Sequence, residues 1–239
     1  LTLKDVLIGT NSHVYVASEY SKNVVKKYNN NVKLLKYGID DLFQDNEIII
    51  SDEIQFSIVG TIEERKAQDV FIQAIMLMPI EYQKKAIFNI IGNEDNEKNF
   101  VSDLKKRSKH IPNIKWHGLI TDQKDKLELF LDTSLFVVIS RDEPVSVVVI
   151  EAAMLGKPSI ISENVGAKYM VEDGKNGFIV KTGDSEHLKD VLMKIIDKPS
   201  ILAAMGNESR KKYLQTSTLD IFQSNLIEEI NNIIEVDIG

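Results

Sequence analysis

Residues 140–151 read SRDEPVSVVVIE and decide how this chain folds. By propensity alone, the β-branched run Val147–Ile150 would form a buried strand. Pro144 argues against a strand, because proline suits the first position of a helix, where its missing N–H costs nothing and its fixed φ is already helical. Residues 152–155, Ala-Ala-Met-Leu, are good helix formers. Gly156 then provides the usual helix stop. We therefore predict a helix that begins at Pro144.

A buried strand is expected immediately before this helix, because residues 134–139 read SLFVVI. The predicted order is strand, polar turn at 141–143, then helix. The beginning of a helix presents free backbone N–H groups and a partial positive charge, so it can hold a diphosphate. Pro144, Ser146 and Val147 would lie in the first turn. The sequence thus predicts an anion site at this point of the chain.

Two carboxylates flank the predicted anion site. Glu143 lies at the mouth of the helix and Glu151 lies two turns further, roughly 12 Å away along the axis. This separation exceeds the roughly 5 to 9.5 Å of a glycosidase carboxylate pair. A shared proton-transfer reaction is therefore not expected. Carboxylates accept paired hydrogen bonds from vicinal hydroxyls, so each could hold one end of a ribose–diphosphate–sugar unit.

The Glu-x7-Glu spacing, with Ser140 before it and Glu-Ala-Ala-x-x-Gly-Lys-Pro at 151–158, resembles the signature of glycosyltransferase family 4. These are retaining enzymes of the GT-B fold. The resemblance implies that Glu151 binds the nucleotide ribose and that Glu143 contacts the donor sugar. Ser146 stands where the family usually has glycine. The other interpretation is a helix with one capping carboxylate and one solvated glutamate.

A second motif lies at 60–67, where the family has Gly-Arg-x4-Lys-Gly. Here Gly60 and Lys66 match, whereas Thr61 and Ala67 replace the arginine and the last glycine. The resemblance implies that Lys66 contacts the donor diphosphate and that Arg65 compensates for the missing arginine. A solvated loop cation is an equally good interpretation of Arg65. The segment is not a P-loop, since it lacks a second glycine before the lysine.

Other turns after predicted strands resemble the nucleotide side of the family's site. Gly92 ends the strand predicted at 86–92, and His117 and Gly118 end the one predicted at 114–119. The resemblance implies that Gly118 packs against the base, with His117 as a further contact, although a single histidine before glycine is more often structural. The four histidines have no metal-ligand spacing. We expect no metal and no cofactor besides the nucleotide-sugar substrate.

From residue 54 the strands and helices alternate, which predicts an α/β fold with a doubly wound, Rossmann-like parallel sheet. We expect three parts: a remnant of an N-terminal acceptor domain with its linker (1–45), a nucleotide-sugar-binding domain (46–216), and a C-terminal helix that crosses back (217–239). In the remnant, a helix at 19–28 should be capped by Ser18 and bury Val24 and Val25. Further on, Gly174 and Gly177 are predicted to be turn residues with positive φ. The first residue is Leu, so we expect a fragment of a longer chain.

Composition limits the partners. The chain has 239 residues and a net charge of −7, which argues against a general nucleic-acid surface. It has no cysteine, which excludes thiol nucleophiles and fits the cytoplasm. No apolar run approaches a membrane span. We expect a cytoplasmic protein whose glycan or lipid-linked acceptor, and any membrane contact, are bound by the missing half.

These observations predict the donor-binding half of a retaining hexosyltransferase-type enzyme in bacterial polysaccharide or glycoconjugate synthesis. The full enzyme would transfer a sugar from a nucleoside diphosphate to an acceptor hydroxyl. The fragment alone is expected to turn over little. Two alternatives stay open, a sugar-nucleotide epimerase of the same fold and a non-catalytic sugar-nucleotide-binding module.

Overall fold

A computed structural model describes residues 13–43 and 53–238. A small unit comes first, in which strand β1 (Val14–Val16) and strand β2 (Val32–Leu34) pair in parallel around helix α1 (Glu19–Val25). Ser18 caps α1 as predicted, because its side chain accepts a hydrogen bond of 3.1 Å from the N–H of Ser21. The prediction that Val24 lies inside is wrong, since it is 44% exposed. Val25 is half-buried.

The main unit is a six-stranded parallel sheet with helices on both faces. Its strands are β3 (Ile54–Val59), β4 (Ala86–Ile91), β5 (Ile114–Gly118), β6 (Leu135–Val138), β7 (Ser159–Ser162) and β8 (Gly177–Val180). Their order in the sheet is β5-β4-β3-β6-β7-β8, and every neighbouring pair is parallel. The predicted doubly wound α/β fold is confirmed.

The helices after α1 connect these strands and then close the chain. They are α2 (Gln68–Leu77), α3 (Ile80–Gln83), α4 (Lys98–Ser108), α5 (Gln123–Asp132), α6 (Val147–Met154), α7 (Ser185–Asp197), α8 (Ile201–Thr216) and α9 (Leu219–Ile238). Two short 3-10 turns, Glu64–Lys66 and Gly166–Met170, follow β3 and β7. The sequence analysis did not assign α3 or α5.

Alternating side chains of the strands build one core on each face of the sheet. Phe56 and Phe88 stack on one face with ring centroids 5.8 Å apart, in a cluster that includes residues of α2, α4 and α7. On the other face, Phe136 packs edge-on against Phe130 of α5 at 4.8 Å, together with residues of α6 and α8. Burial on both faces explains why strands β4 and β6 are almost continuously apolar.

Helix α6 confirms that the valine-rich segment is helical, but its start differs from the prediction. The helix begins at Val147 with Ser146 at the N-cap, so Pro144 lies outside it. At the other end Gly156, with φ +66°, closes the helix as predicted. The N–H groups of Gly156 and Lys157 donate to Ala153 and Ala152 at 3.0 and 2.8 Å, which is a Schellman motif.

The glycines of the turn before β8 behave differently from one another. Gly174 has φ +74° as predicted. Gly177 does not have positive φ, so that prediction is wrong. It is required instead by close packing in the sheet, because a Cβ at this position would lie 2.2 Å from the carbonyl oxygen of Ser159.

The last helix connects the main sheet to the small N-terminal unit. Glu229 of α9 accepts hydrogen bonds from Tyr15 at 3.0 Å and from Lys33 at 2.5 Å. Arg210 of α8 forms a two-pronged ion pair with Asp41, at 2.8 and 2.6 Å. The boundary predicted near residue 45 lies outside the described residues, as do residues 1–12 of the predicted remnant and residue 239 of the predicted crossing helix.

Candidate active site

The candidate site lies where the strand order reverses. The chain runs outward from β3 to β5 and then returns to β6, which pairs with β3 on its other side. The connection after β3 leads to helix α2 on one face of the sheet, and the connection after β6 leads to α6 on the other face. This is the switch point at which ligands bind in open α/β sheets. The loop after β3 carries Arg65 and Lys66, and the loop after β6 carries Glu143. The structure thus brings these three predicted residues together.

Glu143 is the centre of this cluster. Its carboxylate is in contact with the ammonium of Lys66 and lies 3.4 Å from Nη1 of Arg65. The hydroxyl of Ser140 donates a further hydrogen bond of 3.2 Å to the same oxygen, Oε2. Glu143 is 6% exposed, whereas the side chain of Arg65 is 44% exposed. A buried acid is therefore neutralised by one half-buried lysine, with the arginine at the rim.

The two loops are tied to each other by further contacts. The backbone N–H of Arg141 donates to the carbonyl of Arg65 at 2.8 Å, and Nη1 of Arg65 donates to the carbonyl of Asp142 at 2.9 Å. The guanidinium of Arg141 forms a two-pronged ion pair with Asp69 on α2, at 2.9 and 2.7 Å. This pair holds the pKa of Arg141 above its ordinary value, chiefly through the hydrogen bonds to Asp69. These contacts fix the two loops relative to each other, so the side chains of Arg65 and Arg141 have defined positions.

Ala67 takes up the conformation for which the family uses glycine. It has φ +60° and is fully buried between the 3-10 turn and α2. A left-handed backbone costs a non-glycine residue roughly 1–2 kcal/mol. The backbone turn that orients Lys66 is therefore preserved in this chain, although Ala67 stands in place of glycine.

The backbone of Glu143 explains why α6 begins late. The N–H of Gly166 donates to the carbonyl of Glu143 at 2.7 Å, and residue 143 forms a parallel bridge with Val165. This pairing keeps the chain extended through Ser146, whose φ is −119° and ψ 107°. The estimate of roughly 12 Å along the helix axis from Glu143 to Glu151 therefore does not apply. Pro144 contributes a carbonyl that would lie 1.8 Å from a Cβ at Gly166, so only glycine fits there.

The first turn of α6 remains a feature of the site. Val147 is its first residue and is 43% exposed, while Ser146 is buried at 4%. Within the described part of the chain, the Ser146 side chain makes no capping hydrogen bond to this helix. First-turn N–H groups that have no side-chain cap are available to an anion.

Glu151 lies on α6 and has a partner that the sequence analysis missed. Its Oε1 accepts a hydrogen bond of 2.6 Å from Lys126 of α5. The side chains are 20% and 32% exposed, respectively. The available signal was Asp122, which caps α5 by accepting from the N–H groups of Lys124 and Asp125 at 2.8 and 3.1 Å. Asp122 as a helix cap predicts α5, but it does not predict the contact of Lys126 with Glu151.

Three predicted glycines lie in a row at the carboxyl ends of β3, β4 and β5. Gly60 N–H donates to the carbonyl of Ile91 and Gly92 N–H to that of Gly118, both at 2.9 Å. A Cβ at Gly92 would lie 1.8 Å from the carbonyl oxygen of Gly60. The Thr61 carbonyl accepts a 3.0 Å hydrogen bond from buried Gln68, which holds the start of the loop.

His117 belongs to a chain of polar groups across the sheet. Its Nε2 lies 2.9 Å from Oδ1 of buried Asn89, and Asn89 donates to Ser57 at 3.2 Å. Desolvation, followed by the charge of Lys115, holds the pKa of His117 below its ordinary value. The ring also borders an open cavity of about 520 Å³ whose other walls include Leu119, Asp122 and Asp125. The structure therefore assigns His117 a structural bond and a place beside a cavity.

In residues 13–43 and 53–238, no group of three or more histidine, aspartate or glutamate side chains is arranged to hold a metal ion. None of the helices in these ranges is both long and apolar enough to cross a membrane.

The fold defines a class of protein, the Rossmann-like α/β proteins. Within that class, residues 39–212 match the family described as glycosyl transferases group 1. The match covers most of the chain, and the chain belongs to this family. Its similarity to glycosyltransferase family 4 is consistent with that membership.

The chain is similar to bacterial glycosyltransferases. It is 25% identical over 186 residues to the capsular polysaccharide biosynthesis glycosyltransferase CapM of Staphylococcus aureus, covering 77% of this chain and 48% of CapM. It is 27% identical over 118 residues to the putative glycosyltransferase EpsD of Bacillus subtilis, covering 49% of this chain and 29% of EpsD. The chain thus spans from under a third to about half of the length of these relatives.

Solved structures share the fold. Anabaena Alr3699/HepE, in complex with UDP and glucose, superimposes with a TM-score of 0.79 at 19% identity, covering 92% of this chain and 63% of that one. Sucrose-phosphate synthase from Thermosynechococcus elongatus has a TM-score of 0.83 at 18% identity, covering 98% of this chain and 61% of that one. At such identities the likeness concerns the fold alone.

Proposed function

We propose that this chain is the donor-binding part of a retaining glycosyltransferase that takes a hexose from a nucleoside diphosphate. The observation that carries the proposal is the contact between Lys66 and Glu143 at the switch point, with the start of α6 beside it. Cations and uncapped amide groups suit a diphosphate, and a neighbouring carboxylate suits the hydroxyls of a sugar. The matched family and the UDP complex of Anabaena HepE support this choice of ligand.

Catalysis would be chiefly electrostatic. As the bond between the sugar and the diphosphate breaks, negative charge accumulates on the departing phosphate oxygens. Lys66, Arg65 and the first-turn N–H groups of α6 would stabilise this charge, because they are already positioned before the reaction. In this proposal no metal ion is needed to neutralise the leaving group.

The two glutamates would position the donor. Glu143 would accept hydrogen bonds from the sugar hydroxyls, and Glu151 would accept them from the ribose. Gly60, Thr61, Gly92, His117 and Gly118 would border the nucleoside, with Ser146, Val147 and Pro144 near the diphosphate. Holding the sugar and the leaving group in one orientation is itself a large part of catalysis.

The acceptor would bind mainly to parts of the protein beyond this chain. A cavity of about 450 Å³ separates α1 and β2 from the loop at 163–169, and it is lined in part by Tyr20, Lys36 and Tyr169. Its wall includes Val165 and Gly166, which pair with the backbone of Glu143. A glycan or lipid-linked acceptor would approach from this side. We propose cytoplasmic polysaccharide or glycoconjugate synthesis as the setting, with any membrane contact made by the rest of the enzyme.

Thermal unfolding in the presence of UDP, GDP, ADP, CDP and dTDP tests the proposal. One or two of these should raise the unfolding temperature of the chain, because a ligand that binds only the folded state stabilises it. Glu151→Ala should reduce this shift, because the ribose hydroxyls lose their acceptor. Equal, negligible shifts with all five nucleotides would contradict a nucleoside-diphosphate site.

A further inference from the structure

We propose that Lys126 is a positioning residue that fixes the carboxylate of Glu151 for the ribose, and so sets the preference of the site for ribonucleotides over 2′-deoxyribonucleotides. This inference rests on the proposed function. It adds a residue from α5 that lies outside both sequence motifs. The juxtaposition that carries it is the 2.6 Å hydrogen bond between Nζ of Lys126 and Oε1 of Glu151.

The ammonium of Lys126 is itself held in place. It lies 5.0 Å from the ring centroid of Phe130, one turn further along the same helix. Phe130 is 3% exposed and packs edge-on against Phe136 of the central sheet. A cation above a fixed aromatic face gains a favourable interaction with the ring. The lysine is therefore anchored by the core at one end and by the carboxylate at the other.

A glutamate without such a partner would sample several rotamers. Fixing a flexible side chain when a ligand binds costs part of the binding free energy, and a side chain already fixed avoids that cost. A carboxylate has two oxygens with about four acceptor positions, so one ammonium leaves room for a pair of ribose hydroxyls. The contact with Lys126 thus holds the carboxylate of Glu151 in one orientation and leaves some of its acceptor positions open for the ribose.

The partial burial of the pair makes this effect larger than for a surface ion pair. The two side chains are 32% and 20% exposed. By contrast, Lys124 and Glu128 on the outer side of α5 lie 3.8 Å apart with side chains 83% and 65% exposed. Exposed pairs of that kind contribute little, because water screens them. Lys124→Met is therefore a matched control on the same helix.

The experiment measures the dissociation constants of UDP, GDP, ADP and CDP, and of their 2′-deoxy forms, by calorimetry for the wild type and variants. We expect the wild type to bind the ribonucleotide of at least one pair more tightly. Lys126→Met should reduce that preference by roughly twofold to tenfold. The 2′-deoxy form should lose less affinity than the ribonucleotide, because it keeps only one of the two ribose hydroxyls that donate to Glu151. Lys126→Arg should restore the preference, and Lys124→Met should leave it unchanged.

Several outcomes separate this inference from the proposed function. If the wild type binds neither these nucleotides nor dTDP, the proposed function fails. If the wild type binds and Lys126→Met leaves the preference unchanged, or weakens both forms equally, the inference alone is overturned. Lys126→Gln removes the charge and shortens the side chain while staying polar, so it replaces Lys126→Met if that variant unfolds at a markedly lower temperature. In a Glu151→Ala background the Lys126 substitutions should have no further effect on the preference.

Discussion

Lys66 and Glu143 are 77 residues apart in the chain, yet the ammonium of one contacts the carboxylate of the other across the switch point of the sheet. The contact joins the loop after β3 to the loop after β6. It places a buried acid beside a half-buried cation at this point of the sheet.

Replacing Lys66 should destabilise the chain. In Lys66→Met the buried carboxylate of Glu143 loses its closest cation and keeps only Arg65 at 3.4 Å. A buried charge left without its partner is costly, so we expect the free energy of unfolding to fall by about 2 kcal/mol in urea denaturation.

Adding Glu143→Gln to Lys66→Met provides the control. The double variant has no buried charge to compensate and should recover a large part of the lost stability. Additive losses for the two substitutions would contradict a direct pair.

Lys66 should matter to the diphosphate more than to the nucleoside. We expect Lys66→Met to weaken binding of the preferred nucleoside diphosphate by about tenfold, equivalent to about 1.4 kcal/mol, because a charge-assisted contact is lost. Binding of the nucleoside without phosphates should change little. Calorimetry with both ligands measures the difference.

Arg65→Met is the comparison for that experiment. Its side chain is 44% exposed and also pairs with Glu63 at 2.8 Å. We therefore expect a smaller loss of diphosphate affinity than for Lys66→Met. A larger loss would assign the main phosphate contact to Arg65 instead.

Gly92 should tolerate no side chain. A Cβ there would lie 1.8 Å from the carbonyl oxygen of Gly60, so Gly92→Ala must push two strand ends apart. We expect a loss of about 3 kcal/mol in the free energy of unfolding. Gly118 has φ +65°, but a Cβ there would have nothing within 4 Å. Gly118→Ala should therefore cost only about 1 kcal/mol, the price of the backbone conformation. Thermal and urea unfolding measure both variants. Equal losses of stability for Gly92→Ala and Gly118→Ala would refute the steric explanation.

Lys157 should make stability depend on alkaline pH. Burial lowers the pKa of this lysine to about 8, with the charge of Asp132 acting in the opposite direction. Its ammonium donates a 2.7 Å hydrogen bond to the carbonyl of Leu131. Between pH about 8 and the ordinary lysine value near 10.4, the unfolded chain binds more protons at this residue than the folded chain does. The contribution of Lys157 to the free energy of unfolding therefore rises with pH in this window, by at most about 1.4 kcal/mol per pH unit.

Lys157→Met isolates that contribution. The variant has no group that titrates at this position, so its free energy of unfolding lacks this rise. The free energy of unfolding of the wild type should therefore increase relative to that of the variant between pH about 7.5 and 9.5. Urea denaturation at several pH values measures it. Parallel pH profiles would show that the pKa of Lys157 is not lowered.

Much of the fold could be predicted from short-range features. Alternating apolar strands and amphipathic helices predict the doubly wound sheet, and Gly156 marks the end of α6 correctly. The decision for helix rather than strand at Val147–Ile150 was also correct, because the following helix formers and the glycine stop act within a few residues. The family itself could be identified from the two glutamates and the motif around them.

Local sequence patterns were enough to predict the strands of the sheet, the valine-rich helix and the residue types at the site, since these depend on neighbours along the chain. Which side chains meet depends on how the elements pack in the folded chain. Pairing of Glu143 with Val165 and Gly166 keeps residues 143–146 extended, so the helix begins at Val147 and not at Pro144. The contact of Glu151 with Lys126 likewise depends on how α5 and α6 pack on one face of the sheet. Such contacts are fixed by strand order and helix packing, and no local pattern in the sequence encodes them.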